Sequence, residues 1–183
     1  MSTATKKPWT ADELCRLPEG WRYEIDEGEL VIMAPAGYTH GDLVMRIGRL
    51  LGNFVAAERL GRVVGGESGF RLRTGPETLR GVDVAFVSTA RDALIGDTRG
   101  FPDVPPDLAV EVHDPSEPDL RRKIDQYLEA GVRSVWVVDP DARTLIQHRP
   151  GEAPQTLSDP DATVVEPVLP GFSCRVRELF DQA

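Results

Sequence analysis

The stretch PPDLAVEVHDPS (residues 105–116) contains a short apolar run, Leu108 to Val112, that is interrupted only by Glu111. Prolines lie on both sides of the run and two of its residues are valines, so the pattern predicts a buried β-strand. An ionised carboxylate in such a strand costs several kcal/mol of desolvation unless a partner compensates it. Glu111 is therefore expected to have a partner.

A second acid occurs in the same kind of setting. The segment RGVDVAFVS (residues 80–88) predicts another buried strand, with Asp83 among its valines. One such acid is often half of a structural ion pair. Two acids on successive strands can also hold a divalent cation such as Mg²⁺, which prefers carboxylate oxygens. Both interpretations of Asp83 and Glu111 stay open from these residues.

A third acid, Glu67, lies just before the Asp83 strand in GRVVGGESGFRLRTG (residues 61–75), which predicts a strand with a glycine-rich bend. Its neighbouring glycines would let backbone or substrate approach closely. Glu67 is thus a candidate metal ligand, and the alternative is an ordinary solvated strand residue.

A helix is predicted after the Glu111 strand. Ser116 is its expected N-cap, Pro118 lies in its first turn, and Gly131 ends it after about fourteen residues. At about 100° per residue, the stripe that faces the sheet contains Leu120, Ile124, Tyr127 and Leu128.

Lys123 lies at the edge of this stripe, whereas Arg121 and Arg122 point away from the sheet. A lysine in that position can reach toward Asp83 and Glu111. It could orient or deprotonate an attacking water, or stabilise charge on a transferring phosphoryl group.

The remaining pattern predicts a mixed sheet covered by helices, an α/β (α+β) architecture. The elements begin with a short helix capped by Thr10, a hairpin turning at Glu27-Gly28 and an amphipathic helix from about His40 to Leu60. They continue with a surface loop over residues 91–106, two strands joined by an Asp-Pro turn in residues 132–150 and a terminal helix in RVRELF (residues 175–180). We expect one domain over residues 1–183, with residues 1–20 peripheral.

At 183 residues the chain can bury roughly 70% of the surface that its unfolded state exposes, so it needs no disulfide or structural metal to fold. Cys15 and Cys174 show no ligand spacing and favour a reducing, cytoplasmic setting. Neither a signal-peptide h-region nor an apolar window of membrane-spanning length occurs, so no membrane partner is expected.

The charge balance is acidic, with 21 Lys and Arg against 30 Asp and Glu and a net charge of -9. This balance argues against a large phosphate-binding surface but leaves a local basic groove open. Arg71, Arg73 and Arg80 bracket the turn before the Asp83 strand. They could contact phosphate, although scattered arginines usually form a solvated face.

Two histidines are accessory candidates. His113, at the end of the Glu111 strand, could ligate a metal or be a hydrogen-bonded surface group. His40, which opens the long helix, could belong to the site or simply occupy the helix's first turn.

Several segments together resemble the Uma-two family of putative restriction endonucleases, a branch of the PD-(D/E)XK nuclease superfamily. In chain order they are LPEGWRYEIDEGELVIMAP, HGDLVMRIGRLL, GRVVGGESGFRL, VDVAFVS, PPDLAVEVHDPS, KIDQYLEAGVRSVWVVDP and LPGF. They cover nearly the whole chain, and their combination is more specific than any one of them.

The resemblance implies a restriction-endonuclease-like mixed sheet and a metal-dependent hydrolase that resembles an endodeoxyribonuclease. It places the catalytic residues at Asp83, Glu111 and Lys123, and the Mg²⁺ or Mn²⁺ ligands at Asp83 and Glu111, to which we add Glu67 as the third candidate ligand. His40 and Glu67 also match residues of the family. The superfamily's lysine two residues after the glutamate is His113 here, whereas the Uma-two group carries its lysine on the following helix, which matches Lys123. The usual proline before the aspartate is Val82.

Nucleic acid is the implied substrate, with DNA favoured over RNA, and a homodimer is expected because duplex cleavage needs two active sites. The alternative function is a catalytically inactive dimeric interaction module that keeps the nuclease fold, which the altered motif and the net charge would allow. Hydrolysis of another phosphate ester in the same site is the third hypothesis.

Overall fold

The structure is a computed structural model that describes residues 7–18, 21–96, 99–115 and 119–181. Its helices are α1 (Ala11–Leu14), α2 (Tyr38–Glu58), α3 (Thr89–Asp92), α4 (Leu120–Glu129) and α5 (Val176–Phe180). Its strands are β1 (Arg22–Asp26), β2 (Glu29–Met33), β3 (Gly61–Arg73), β4 (Thr78–Ser88), β5 (Leu108–Val112), β6 (Ser134–Asp139), β7 (Thr144–His148), β8 (Gln155–Leu157), β9 (Thr163–Val165) and β10 (Ser173–Arg175).

Strand β4 organises a mixed sheet with the order β2-β1-β4-β5-β6-β7-β8, in which β3 also pairs with β4. The β5–β6 pair is parallel, and α4 forms the crossover that a parallel pair requires. The other pairs of this sheet are antiparallel. The predicted mixed sheet flanked by helices, with an N-terminal hairpin, is confirmed.

The two edges of β4 are used differently, and this difference positions the site. Strand β3 follows one edge along the length of β4. The other edge is shared, because β1 pairs with it at Leu79 and β5 pairs with it from Val84 to Phe86. In the described ladders, residues 81–83 therefore lie between β1 and β5, where polar side chains can reach the backbone of β4.

Helices cover both faces of the sheet. Helix α2 buries Leu43, Ile47, Leu51 and Val55, spaced four residues apart, against one face. Helix α4 packs Ile124 and Tyr127 against the other face. Strands β4 and β5 are buried almost throughout for this reason, which explains their nearly continuous apolar sequence.

The local predictions are largely confirmed. Thr10 caps α1 in a capping box with Glu13. Glu27 and Gly28 have φ values of 50° and 84°, the type I′ geometry that suits a two-residue hairpin. Helix α2 begins and ends within two residues of the prediction.

Two predictions need correction. Helix α4 is shorter than expected, with 10 residues and Asp119 as its N-cap, since the Asp119 carboxylate accepts a hydrogen bond from the backbone N–H of Arg122. The expected cap Ser116 and Pro118 lie outside the described residues. The first two residues of the predicted loop over residues 91–106 belong instead to α3, a short helix whose N-terminus is capped by the Ser88 hydroxyl. Within the described ranges, no helix has the length and apolar character that crossing a membrane requires.

Candidate functional site

Three candidate ligands meet next to residues 81–83 of β4, where β4 pairs with neither β1 nor β5 in the described ladders. Asp83 on β4 contacts His40 in the first turn of α2, with 2.9 Å between Asp83 Oδ1 and His40 Nε2. Glu67 on β3 completes the group, and one ligand atom from each residue lies within 4.8 Å of the others. The structure thus brings together three residues that the sequence singled out separately.

A β-bulge places Glu67 in this group. The register pairs Gly65 with Val84 and Ser68 with Val82, so Gly66 and Glu67 both lie opposite Asp83. Their φ values are 72° and 64°. A positive φ is unfavourable for glutamate and costs about 1–3 kcal/mol. Such strain, like bulges, is concentrated at functional sites.

Burial and the contacts among these three residues shift the pKa of each of them. Burial, followed by a hydrogen bond shared with Asp83, raises the pKa of Glu67 to about 7, although Arg22 lies 2.5 Å from its Oε1 and opposes the shift. Burial also disfavours the Asp83 carboxylate, but hydrogen bonds with His40 and Glu67 hold the pKa of Asp83 below its ordinary value. The hydrogen bond to Asp83 raises the pKa of His40.

Glu111 and Lys123 form a second cluster next to the first. Lys123 Nζ lies 3.0 Å from Glu111 Oε2 and 3.3 Å from Glu24 Oε1. The Tyr127 hydroxyl donates to Glu111 Oε1 at 2.6 Å. Lys123 is only 2% exposed, so its ammonium is buried between two carboxylates. The partner expected for Glu111 is therefore present.

Gly81 joins the two clusters. Its N–H donates to Glu24 Oε1 at 2.9 Å, and its carbonyl lies 3.2 Å from the Tyr127 hydroxyl. A Cβ atom at this position would come within 2.9 Å of Glu67 Oε2. A larger residue at this position would therefore require the Glu67 carboxylate to shift away from the β4 backbone.

The chain also links Asp83 directly to the Glu111 strand. Asp83 Oδ2 accepts a hydrogen bond of 2.8 Å from the backbone N–H of Val112. The Asp83 carboxylate thus lies against the residue that follows Glu111, although the Glu111 carboxylate itself faces Lys123 and Tyr127.

Arg80 was expected either to contact phosphate or to lie on a solvated face, and the structure shows neither. It is 6% exposed, and its guanidinium contacts Glu24 at 2.8 Å and Asp26 at 3.0 Å. Its Nε also donates to Gln126 on α4. Arg80 is therefore a buried structural cation that ties α4 to the hairpin, and neither a phosphate ligand nor part of a solvated face. Arg71 and Arg73 also pair with carboxylates.

His113 is half-buried and does not belong to the group of His40, Glu67 and Asp83. The sequence reasoning missed Glu24, Tyr127 and Arg22. Side chains alternate between the two faces of a strand, so a buried Ile25 would predict that the neighbouring Glu24 lies on a solvated face. In the structure both residues are buried, and Ile25 packs against α1. Tyr127 was assigned to the apolar stripe, and only its depth in the core brings its hydroxyl to Glu111.

The donor set suits a hard divalent cation. The two carboxylates are the ligands that Mg²⁺ and Mn²⁺ prefer, whereas an imidazole ligand is more typical of Zn²⁺ and other transition metals. Burial first, and then the neighbouring Asp83, raise the pKa of Glu67, and a bound cation would stabilise its ionised form. The residues therefore fit a metal centre.

The chain is similar to known proteins along most of its length. The Uma2 family model, described as Putative restriction endonuclease, matches residues 11–177. A crystal structure of a putative nuclease belonging to DUF820 from Anabaena variabilis has 23% sequence identity and a TM-score of 0.78, covering 94% of this chain and 98% of that chain. That likeness shows a shared fold. No curated protein matches the sequence. The chain belongs to the Uma2 family of putative restriction endonucleases.

Proposed function

We propose that the protein is a Mg²⁺- or Mn²⁺-dependent endonuclease that hydrolyses phosphodiester bonds of nucleic acid, with DNA favoured over RNA. The observation that carries this proposal is the meeting of Asp83, Glu67 and His40 within ligand distance, directly beside the buried pair of Glu111 and Lys123. Membership of a family described as restriction endonucleases supports the same reaction.

Asp83 and Glu67 would hold the cation, with His40 beside them and Glu111 contributing from the next strand. The bound cation supplies Lewis acidity toward the phosphodiester. His40 fixes the orientation of the Asp83 carboxylate through their hydrogen bond. Lys123 keeps a positive charge between Glu111 and Glu24, where it can stabilise charge that develops on the phosphoryl oxygens.

The proposal is tested by a cleavage screen with single-stranded and duplex DNA, RNA and small phosphate esters. We expect cleavage of a polynucleotide in Mg²⁺ or Mn²⁺ and complete loss of cleavage in EDTA, with recovery when the metal is restored. Cleavage that persists in EDTA would contradict the proposal. Hydrolysis of small esters alone would favour the third hypothesis from the sequence.

Metal affinity is expected to fall at acidic pH. Because Glu67 has a pKa of about 7 without metal, it must lose a proton to become a ligand below that pH. His40, whose pKa is raised, changes affinity in the same direction. The apparent affinity for Mn²⁺ should drop by about tenfold or more per pH unit below pH 7 and level off above it.

Calorimetry at pH 6, 7 and 8 measures this dependence, and buffers of different ionisation enthalpy count the protons released. In the Glu67→Gln variant the proton release at pH 6 should decrease by about one. Affinity that stays constant from pH 6 to pH 8 would contradict the assignment of Glu67 as a ligand.

A catalytically inactive dimeric interaction module is the second candidate function. The observation that favours it is the state of Glu111, whose two carboxylate oxygens contact Lys123 and Tyr127. This alternative predicts that Mn²⁺ does not bind and that assembly is insensitive to Lys123→Ala. Sedimentation of the wild type and this variant, together with the metal titration, distinguishes the two functions. A homodimer is proposed under both.

A further inference from the structure

Arg22 is a cation in direct contact with the candidate metal centre. Its Nη2 lies 2.5 Å from Oε1 of Glu67, which belongs to the group whose ligand atoms lie within 4.8 Å of one another. Arg22 is the first residue of β1, and Glu24 lies two residues further along the same strand. Side chains two positions apart point to the same face of a strand, and Glu24 contacts Lys123. Arg22 therefore lies on the face of β1 that is directed toward both clusters of the site.

The side chain of Arg22 also reaches solvent. It is 22% exposed, compared with 3% for Lys123 and 7% for Arg80. Lys123 and Arg80 each contact two carboxylates inside the protein. Of these three cations, Arg22 is therefore the one that a substrate phosphate can reach from solvent.

The chemistry of a guanidinium suits this position. Its planar fork of N–H donors can bind two oxygens of a phosphate, just as it can bind a carboxylate. Glu67 is both the partner of Arg22 and a candidate metal ligand. A guanidinium and a divalent cation beside the same carboxylate repel each other. A phosphate at this place would supply negative charge that both of them can share.

We propose that Arg22 is a further catalytic residue, whose guanidinium binds a non-bridging oxygen of the phosphodiester that is cleaved and stabilises the negative charge that develops there. This inference rests on the proposed nuclease function and adds to it a residue that contacts the substrate. Arg22 would then divide its donors between Glu67 and the phosphate when substrate binds. A purely structural Arg22 would instead only hold Glu67 in place, and the two roles predict different measurements.

Calorimetric titration of Mn²⁺ at pH 8 separates these roles without substrate. If Arg22 binds phosphate, Arg22→Gln should bind Mn²⁺ about as tightly as the wild type or more tightly, because a positive charge that repels the cation is removed. Arg71→Gln is the matched control, since Arg71 is 25% exposed and contacts Glu77 at 2.6 Å. Loss of Mn²⁺ affinity in Arg22→Gln but not in the control would assign Arg22 to holding Glu67 and overturn the inference.

Cleavage kinetics give the second measurement. Arg22→Gln should lower kcat by about 10²-fold or more, the usual effect of removing a group that stabilises charge in the transition state. Arg22→Lys keeps the charge but loses the planar fork, so it should retain more activity than Arg22→Gln and less than the wild type. Arg71→Gln should cleave as the wild type does.

The salt dependence of DNA binding measures the phosphate contact itself. It is followed by anisotropy of labelled DNA at 4 °C in Ca²⁺, with the DNA verified to remain intact. In Arg22→Gln the slope of log affinity against log salt should decrease by about 0.9 for a duplex or about 0.7 for a single strand, which corresponds to one phosphate contact. Arg22→Lys and Arg71→Gln should keep the wild-type slope.

The outcomes distinguish this inference from the function on which it rests. A wild type that cleaves nucleic acid, together with an Arg22→Gln variant that keeps its kcat and its salt dependence, would overturn the inference and leave the nuclease function standing. A wild type that cleaves no nucleic acid would contradict both.

Discussion

Asp83→Asn is expected to abolish Mn²⁺ binding and to lower nucleic-acid cleavage by about 10³-fold or more while the protein stays folded. Asp83 is the central member of the candidate metal centre, because it contacts His40 and shares a hydrogen bond with Glu67. An amide removes the ligand charge and keeps the shape of the side chain. Its oxygen can still accept the hydrogen bond from the backbone N–H of Val112.

The substitution should also change how the neighbouring groups titrate. Asp83 raises the pKa of both His40 and Glu67, so removing its charge should lower both values. For His40 this is a shift back toward the ordinary value of 6.5. NMR titration of the His40 ring in the wild type and the variant measures the change, and it needs no substrate.

Asp107 provides a matched control for this experiment. It is another fully buried aspartate, but its carboxylate contacts Arg133 and Arg91 and accepts a hydrogen bond from the backbone N–H of Ser88. Asp107→Asn should lower the free energy of unfolding and leave Mn²⁺ affinity unchanged. Calorimetric titration and thermal unfolding of both variants separate the two roles. Mn²⁺ binding that survives Asp83→Asn, or that is lost equally in Asp107→Asn, would contradict the site.

Lys123→Met is expected to destabilise the protein by about 3–5 kcal/mol, in addition to removing activity. The substitution keeps the length of the side chain but takes the cation from between two buried carboxylates. Glu24 keeps Arg80 and the backbone N–H of Gly81, whereas Glu111 keeps Tyr127 but loses its contact with the ammonium. Much of the cost should therefore arise at Glu111, which loses its contact with the Lys123 ammonium.

A second substitution tests this explanation. Glu111→Gln combined with Lys123→Met removes both charges, so the double variant should be more stable than Lys123→Met alone. Denaturant unfolding of the wild type, both single variants and the double variant gives four free energies of unfolding. Together they form a double-mutant cycle that measures the coupling between Lys123 and Glu111. Arg122→Met is the control, because Arg122 lies on the same helix with its side chain 42% exposed and its surface ion pairs should contribute about 1 kcal/mol or less. A decrease of less than about 1 kcal/mol in the free energy of unfolding of Lys123→Met would contradict the explanation that a buried ion pair is broken. A double variant no more stable than Lys123→Met would contradict it as well.

Much of the fold follows from local patterns in the sequence. Helix α2 is specified by its repeating apolar positions, and the hairpin by the alternation around Glu27-Gly28. The acids of β4 and β5 could be recognised as unusual because each interrupts a run of residues that is otherwise apolar. The helical period likewise placed Lys123 on the side of α4 that faces the sheet. These features depend on neighbouring residues, so the chain alone is sufficient to predict them.

The arrangement of the site depends on how distant elements align. Glu24 and Arg80 pair across 56 positions and His40 and Asp83 across 43, and no local periodicity reports such pairings. The bulge that turns Glu67 toward Asp83 appears only when β3 is aligned with β4. Burial of Glu24 requires helices on both faces of the sheet. Local hydrophobic patterns establish which side of an element is buried, whereas strand register and packing establish which polar groups meet there.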